Sequence, residues 1–127
     1  DQLGGFDPYS CSKACSELIT SSFRSSFFDQ LNISIGTARA GNVIGGGDWS
    51  ADRIIPDVFR AFSNNENLLV RSPNSIRPWQ HVLDCLNGYL MLVNAILEGK
   101  GQGAWNFGPG ETQVRTVADV SDIAGVR

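Results

Sequence analysis

Helix-like and strand-like segments alternate along this chain, and that alternation is the strongest limit on its fold. Residues 9–29 contain neither Gly nor Pro and follow Pro8, which suits the first turn of a helix. Residues 32–40 then alternate in polarity and are rich in β-branched side chains, as in a strand. Residues 83–98 return to helical spacing and end before Gly99, a typical helix C-cap. This order predicts an α/β fold.

Shorter segments complete the prediction. Residues 41–49 hold four glycines in nine positions, which predicts a loop whose backbone approaches a ligand. Residues 54–62 have a helical pattern, residues 68–71 and 79–82 predict short extended pieces, and residues 104–107 predict a buried strand with Trp105 in the core. Thr116 followed by Asp119 predicts a capping box that opens a last helix.

Composition excludes several classes of protein. The 127 residues are 42% apolar and 18% charged with a formal charge of -3, which is typical of a globular protein. No basic run indicates a nucleic-acid surface. The apolar stretch 82–97 is interrupted by polar residues and is shorter than the roughly 18 to 20 apolar residues that span a bilayer. We therefore expect a soluble, cytoplasmic protein that binds neither nucleic acid nor membrane.

The cysteines indicate neither a disulfide framework nor a metal site. Cys11, Cys15 and Cys85 form no CxxC pair and have no histidine at ligand spacing. A reducing cytoplasm is the simple interpretation, and Cys11 and Cys15 are expected to fill a packed helix face. The first residues contain no start methionine and no signal-peptide pattern, so the chain is expected to begin inside a longer protein.

Tyr9 and Lys13 are the first candidate functional residues. Four residues apart on a helix, they lie on one face and within reach of a common ligand. An ammonium group favours the ionised form of a neighbouring phenol, and a phenolate can take a proton from a sugar hydroxyl. The pair also occurs by chance in many helices, so the spacing alone leaves a structural role open.

Asn42, Arg53 and Arg77 are candidate ligands for an anion. Asn42 lies in the glycine-rich segment, and Arg53 stands at the start of a predicted helix, where unpaired N–H groups favour negative charge. The planar fork of Arg77 suits a phosphate or a ribose diol. Both arginines are equally compatible with solvated surface charges, the role expected for Arg24, Arg60 and Arg115. His81, the only histidine, is expected to be a hydrogen-bonded structural residue.

Five segments in order resemble the extended short-chain dehydrogenase/reductases and, within them, the CDP-glucose 4,6-dehydratases. The Tyr-x-x-x-Lys pair is common to the wider family, whereas the second and fourth segments point to the CDP-sugar branch. The resemblance covers residues 7 to about 109. The segments are DPYSCSK at 7–13, ARAGNVIGGGDW at 38–49, DRIIPD at 52–57, IRPWQHV at 76–82 and GAWNFGP at 103–109.

The resemblance implies an NAD-dependent lyase that acts on CDP-glucose. Tyr9 would be the base at the C4 hydroxyl while hydride passes to NAD, and Lys13 would bind the nicotinamide ribose. Elimination of water and return of the hydride to C6 would give CDP-4-keto-6-deoxyglucose, a precursor of deoxysugars in surface polysaccharides such as the lipopolysaccharide O-antigen. Asn42, Arg53 and Arg77 match family positions that contact the nucleotide diphosphate or its ribose.

The resemblance also implies a partial Rossmann-like fold without the N-terminal dinucleotide-binding βαβ units. Residues 1–40 would end the NAD-binding domain, and residues 41–127 would form most of the nucleotide-sugar binding region. The glycine-rich NAD fingerprint and the assisting carboxylates would lie upstream, so the fragment alone is expected to be inactive. A homodimer is compatible with the small and aromatic residues of 9–29. An epimerase, another 4,6-dehydratase or a non-catalytic nucleotide-sugar binding fragment remain alternatives.

Overall fold

The computed structural model describes residues 3–110 and 114–124 of the chain. Its residues form two compact units. The first comprises Asp1–Arg39 and Gly88–Asn106, and the second comprises Ala40–Asn87 and Phe107–Arg127. The predicted division near residue 40, between an NAD-binding and a substrate-binding domain, concerns function in a whole protein and stays a prediction.

The first unit is built on a long helix and a two-stranded sheet. Helix α1 (Pro8–Phe23) begins after the N-cap Asp7 and continues into a π-helical turn (Arg24–Phe28). Strand β1 (Gly36–Ala40) pairs with β5 (Gly103–Phe107). The last residue of each strand belongs to the second unit. Helix α3 (Val82–Leu97) contributes residues to both units.

Polar contacts fasten α1 to β1. The Thr37 hydroxyl donates to Glu17 Oε2 at 2.8 Å, and Arg39 Nε lies 3.3 Å from Glu17 Oε1. The Glu17 side chain is only 16% exposed, so these partners compensate the loss of water around its charge. Glu17 thus orients the strand that leads to the glycine-rich segment.

The second unit contains two small sheets and two helices. Strand β2 (Asn42–Ile44) pairs in parallel with β4 (Trp79–His81), so that Asn42 lies opposite Trp79. Strand β3 (Ile76–Arg77) pairs antiparallel with β6 (Arg115–Thr116). Helices α2 (Ile54–Asn64) and α4 (Val117–Ile123) complete the unit.

Helix ends follow ordinary capping chemistry. The predicted capping box is confirmed: Asp119 N–H donates to the Thr116 hydroxyl at 3.1 Å, and Thr116 N–H donates to Asp119 Oδ2 at 2.9 Å. Asn65 ends α2 with φ 56° and ψ 40°, a left-handed conformation that Asn tolerates better than most residues. Gly99, with φ 74°, follows α3 as predicted.

Four details differ from the sequence predictions. The segment 9–29 is helical, but its last turn is π-helical. The next strand begins at Gly36 rather than at residue 32. Residues 68–71 form no strand. A short strand, β2, lies inside the glycine-rich segment, because parallel pairing with β4 satisfies its backbone groups.

Burial also differs from expectation. Trp105 is 44% exposed, so the prediction of a core residue in a buried strand was wrong for this chain. Its indole N–H donates to Gly101 O at 3.0 Å. Cys11 and Cys15 are exposed, so they do not fill a packed face within the described residues.

The buried core is small. Val58 and Ala61 of α2 are buried, as are Cys85 and Leu92 of α3. Both α1 and α3 leave large apolar side chains exposed, among them Leu18 and Leu90. Within residues 3–110 and 114–124, no helix is long and apolar enough to cross a membrane.

Candidate functional site

Tyr9 and Lys13 lie together on one exposed face of α1. Tyr9 stands in the first turn and is 71% exposed, and Lys13 Nζ lies 5.3 Å from the centroid of its ring. The prediction that the two side chains share a helix face is confirmed. Because the phenol is exposed and the ammonium is beside it, both groups are accessible to one ligand.

The start of α1 fixes where Tyr9 lies. Asp7 accepts hydrogen bonds from the Ser10 N–H at 3.0 Å and from the Ser10 hydroxyl at 2.6 Å. The Ser10 side chain, followed by its backbone N–H, lowers the pKa of Asp7 below its ordinary value. The cap therefore stays ionised at neutral pH, where its charge also favours the helix N-terminus.

Asn42 and Arg53 line one cavity of the second unit, which we call the Asn42 cavity. Its volume is about 420 Å³, and its wall also includes Gly41, Asp48, Ile54 and Trp79. Arg53 is the N-cap residue of α2 and makes no side-chain capping bond, so its guanidinium group is not engaged in closing the helix. The structure thus brings together two predicted anion ligands that are eleven positions apart.

Two glycines in this region are required by the close approach of neighbouring residues. A Cβ on Gly41 would lie 2.5 Å from Pro78 Cγ, and a Cβ on Gly45 would lie 2.8 Å from Val82 Cγ1. Gly46 has open space around it. The glycine-rich segment therefore lets β2 pack directly against the chain around β4.

Arg60 holds the loop beside the Asn42 cavity, a role that sequence analysis missed. Its guanidinium group donates to Trp49 O at 2.9 Å and to Ser50 O at 3.2 Å, and it also pairs with Asp57. The expectation that Arg60 is a solvated surface charge was wrong. Its contacts span ten and eleven positions, which no local pattern indicates.

Asp48 adds a carboxylate to the Asn42 cavity. The backbone N–H and then the side chain of Ser50 lower the pKa of Asp48, with smaller contributions from the charges of Arg53 and Arg60. Asp48 is therefore ionised at neutral pH. A carboxylate repels phosphate but accepts hydrogen bonds from sugar hydroxyls, so this cavity suits a ligand that carries both groups.

Arg77 lines a second cavity, the Arg77 cavity, with a volume of about 290 Å³. Asp52 and Arg71 are also on its wall, and Arg71 Nη2 lies 3.4 Å from Asp52 Oδ1. Ile54 lines both cavities. Asp52 has a φ of 59°, a conformation in which Asp and Asn are among the most favourable residues.

The five predicted site residues fall into the two units. Tyr9 and Lys13 belong to the first, whereas Asn42, Arg53 and Arg77 belong to the second. Asp48, Asp52 and Arg71 were missed as cavity residues. The first two stand in the motif segments quoted above, but nothing local distinguishes a cavity carboxylate from a solvated one.

The residues of β4 have structural partners. His81 Nδ1 accepts from the Leu83 N–H at 3.2 Å, in agreement with the structural role expected for this residue. The Trp79 indole donates to Arg115 O at 3.2 Å, and Gln80 Nε2 donates to Phe107 O at 3.1 Å. These bonds fix the strand that forms one side of the Asn42 cavity.

Sequence comparison gives both a family and a relative. Residues 2–108 match the sequence model of the NAD dependent epimerase/dehydratase family. The chain is 49% identical to the CDP-glucose 4,6-dehydratase of Salmonella typhimurium over 96% of its own length. It spans 36% of that relative, so the match covers about a third of the longer protein.

Structural comparison shows the same fold. A dTDP-glucose 4,6-dehydratase from Streptomyces venezuelae with NAD bound has a TM-score of 0.77 and 22% identity, with 97% of this chain and 35% of that chain covered. A UDP-glucuronic acid 4-epimerase from Bacillus cereus has a TM-score of 0.79 and 16% identity, with 95% and 36% covered. The expected α/β, partial Rossmann-like fold is thereby confirmed.

Proposed function

Because the chain belongs to the NAD dependent epimerase/dehydratase family, we propose that the protein containing it is a nucleotide-sugar 4,6-dehydratase that acts on CDP-glucose. The product would be CDP-4-keto-6-deoxyglucose, and the enzyme would be a lyase. The observation that carries the choice of reaction is the 49% identity to a CDP-glucose 4,6-dehydratase across nearly the whole chain. Fold similarity alone does not make that choice, since dehydratases and epimerases match equally well.

Tyr9 is the proposed base at the sugar C4 hydroxyl. Its phenol is exposed in the first turn of α1, and Lys13 holds a positive charge over its ring face. Tyr9 would accept the C4 hydroxyl proton as the carbon is oxidised, which is general-base catalysis by a positioned side chain.

The first unit presents groups that fit a nicotinamide ribose. Lys13 offers three N–H donors, and Tyr9 offers a hydroxyl that both donates and accepts, which together suit a diol. NAD, when bound, would take up hydride from C4 and return it to C6 after water is lost. Lys13 would hold the ribose and keep Tyr9 and the sugar in one orientation.

The second unit supplies the proposed nucleotide-sugar contacts. Asn42 and Arg53 would bind the diphosphate from the Asn42 cavity, because an amide N–H and a guanidinium group both donate to phosphate oxygens. Asp48 would accept from a sugar hydroxyl. Arg77 would contact the diphosphate or the nucleotide ribose from the Arg77 cavity.

A nucleotide-sugar epimerase is the second candidate function. The matching family model includes epimerases as well as dehydratases, and oxidation at C4 by a Tyr and Lys pair would serve either reaction. The two functions differ in the mass of the product. Epimerisation leaves the mass of the nucleotide sugar unchanged, whereas dehydration removes one water.

Mass spectrometry of CDP-glucose incubated with the full-length protein and NAD tests this proposal. The wild type should remove one water, and Tyr9→Phe should reduce turnover by roughly a hundredfold to ten-thousandfold while CDP-glucose still binds, since only the proton acceptor is lost. Tyr89→Phe makes the same chemical change at the other tyrosine and should keep near-normal turnover. An unchanged substrate mass in the wild type would refute the dehydratase assignment.

A further inference from the structure

An exposed ion pair on the wall of the Arg77 cavity has no role in the function proposed above. The contact joins one nitrogen of Arg71 to one oxygen of Asp52 at 3.4 Å, and the two side chains are 79% and 86% exposed. Such an exposed pair contributes little to stability. Its contact occupies one guanidinium nitrogen and one carboxylate oxygen, so the other nitrogens and the second oxygen can meet a ligand.

The same cavity offers apolar surface for a flat ring. Leu68, Val70, Ile54 and Val117 line it together with the charged residues, and its volume of about 290 Å³ is near the lower end of the range for small-molecule sites. Arg77 is on the same wall. If Arg77 holds the diphosphate or ribose, the adjoining space would receive the base of the same nucleotide.

We propose that Asp52 and Arg71 select cytosine by imitating the pairing edge of guanine. A guanidinium fork presents two neighbouring donors, and the adjacent carboxylate presents an acceptor. Cytosine carries the complementary set: O2 and N3 are neighbouring acceptors, and the N4 amino group is a donor, for which an Asp carboxylate is a suitable partner. Arg71 would bind O2 and N3, and Asp52 would bind the N4 amino group.

Uracil and thymine do not match this pattern. Both carry an N–H at position 3 and a carbonyl at position 4, so in the same pose a donor of Arg71 would face N3–H and the Asp52 carboxylate would face O4. Two hydrogen bonds would be replaced by two like-with-like contacts, each of which leaves polar groups unpaired. Selection of the base therefore follows from the order of donors and acceptors rather than from cavity size.

This inference rests on the proposed function, and its test uses the full-length protein. The kcat/KM values for CDP-glucose, UDP-glucose and dTDP-glucose would be compared in the wild type, Asp52→Gly and Arg71→Lys. Glycine keeps the positive φ of residue 52 while deleting the acceptor, and lysine keeps the charge of residue 71 while deleting the fork. Each variant should lose about tenfold to a hundredfold of the preference for CDP-glucose.

Calorimetric binding of CDP and UDP separates this inference from the dehydratase assignment. A wild type that prefers CDP but leaves CDP-glucose unchanged would refute the reaction and keep the base selection. Normal turnover with an undiminished CDP preference in both variants would refute the base selection alone. Asp52→Asn replaces Asp52→Gly if the latter fails to fold, because Asn tolerates the same φ and its amide can either accept from cytosine N4 or donate to uracil O4. Glu98→Gln breaks another exposed ion pair as a control that should leave the preference intact.

Discussion

Three exposed carboxylates act as local hydrogen-bond acceptors. Asp7 and Asp119 cap α1 and α4, and Asp48 closes a turn beside the Asn42 cavity. In each case the largest cause of the lowered pKa is a hydrogen bond from a residue two or three positions away. A lowered pKa in the folded state means that the ionised group stabilises the fold.

The capping box gives a prediction for the pH dependence of stability. The Thr116 side chain and backbone lower the pKa of Asp119, so its contribution is complete above the unfolded-state pKa and is lost as pH falls through the lower folded-state pKa. Between pH 6 and pH 3, Asp119→Asn should therefore show a smaller drop in thermal midpoint than the wild type. Differential scanning calorimetry of the full-length protein measures this drop.

Asp122→Asn provides the control for that experiment. It removes a carboxylate from the last turn of the same helix without changing the capping box. Its pH profile should follow the wild type more closely than that of Asp119→Asn. Identical profiles for both variants would contradict the capping explanation.

Residues close in sequence were predicted more successfully than residues brought together by folding. Tyr9 with Lys13, and Thr116 with Asp119, are related by helix geometry, which the spacing alone determines. Asp52 and Arg71 are nineteen positions apart and carry no local signal. The sequence did not predict that β2 pairs with β4, the pairing that brings Asn42 and Trp79 together on the wall of the Asn42 cavity.

At the scale of elements, the residues that precede β2 and β4 approach each other so closely that position 41 has no room for a side chain. The shortest approach is between Gly41 and Pro78, where an added Cβ would lie 2.5 Å from Pro78 Cγ. Pro78 is rigid, so the backbone itself would have to move. The position of Asn42, the next residue, depends on this contact.

Gly41→Ala should therefore lower both stability and substrate affinity. We expect a loss of about 1–3 kcal/mol in unfolding free energy, as for other overpacked sites, together with weaker binding of CDP-glucose. Gly46→Ala adds the same methyl group where nothing lies within 4 Å and should have little effect on either quantity. Urea unfolding and calorimetric titration would show the contrast, and equal effects of the two variants would contradict it.

Elements with strong periodicity were predicted well, and those fixed by pairing were not. The spacing of apolar residues gave α3 to within one residue at each end. Residues 68–71 have β propensity but no ladder partner in the described residues, so they line a cavity instead. The π-helical turn after α1 changes hydrogen-bond spacing without any change in composition.

At the scale of the whole molecule, large apolar surfaces remain uncovered. In α1, Leu18, Ile19 and Phe23 are 49–58% exposed, and in α3, Leu90 and Leu97 are 65% and 80% exposed. Large apolar side chains exposed in this number are typical of interfaces rather than of surfaces that face water. The alternation of helical and extended segments predicted the fold class. The composition of the chain is ordinary and did not indicate that so little apolar surface would be buried.

The 127-residue chain alone should consequently associate. We expect its apparent mass in sedimentation velocity to rise with concentration, and we expect little NAD binding by calorimetry. Leu90→Gln should reduce the association, because it places an amide in an exposed apolar helix face, whereas Gln30→Glu, an exposed position outside both helices, should not. A concentration-independent monomer would contradict this expectation.

The parallel register of β2 and β4 has a consequence for how the chain tolerates changes in length. Asn42, Val43 and Ile44 are matched one to one with Trp79, Gln80 and His81, although more than thirty residues separate the strands. Inserting a residue in the intervening loops leaves that match intact, whereas one inserted within either strand turns every following side chain to the opposite face. An alignment of homologous proteins should therefore show insertions and deletions between β2 and β4 but none within either strand.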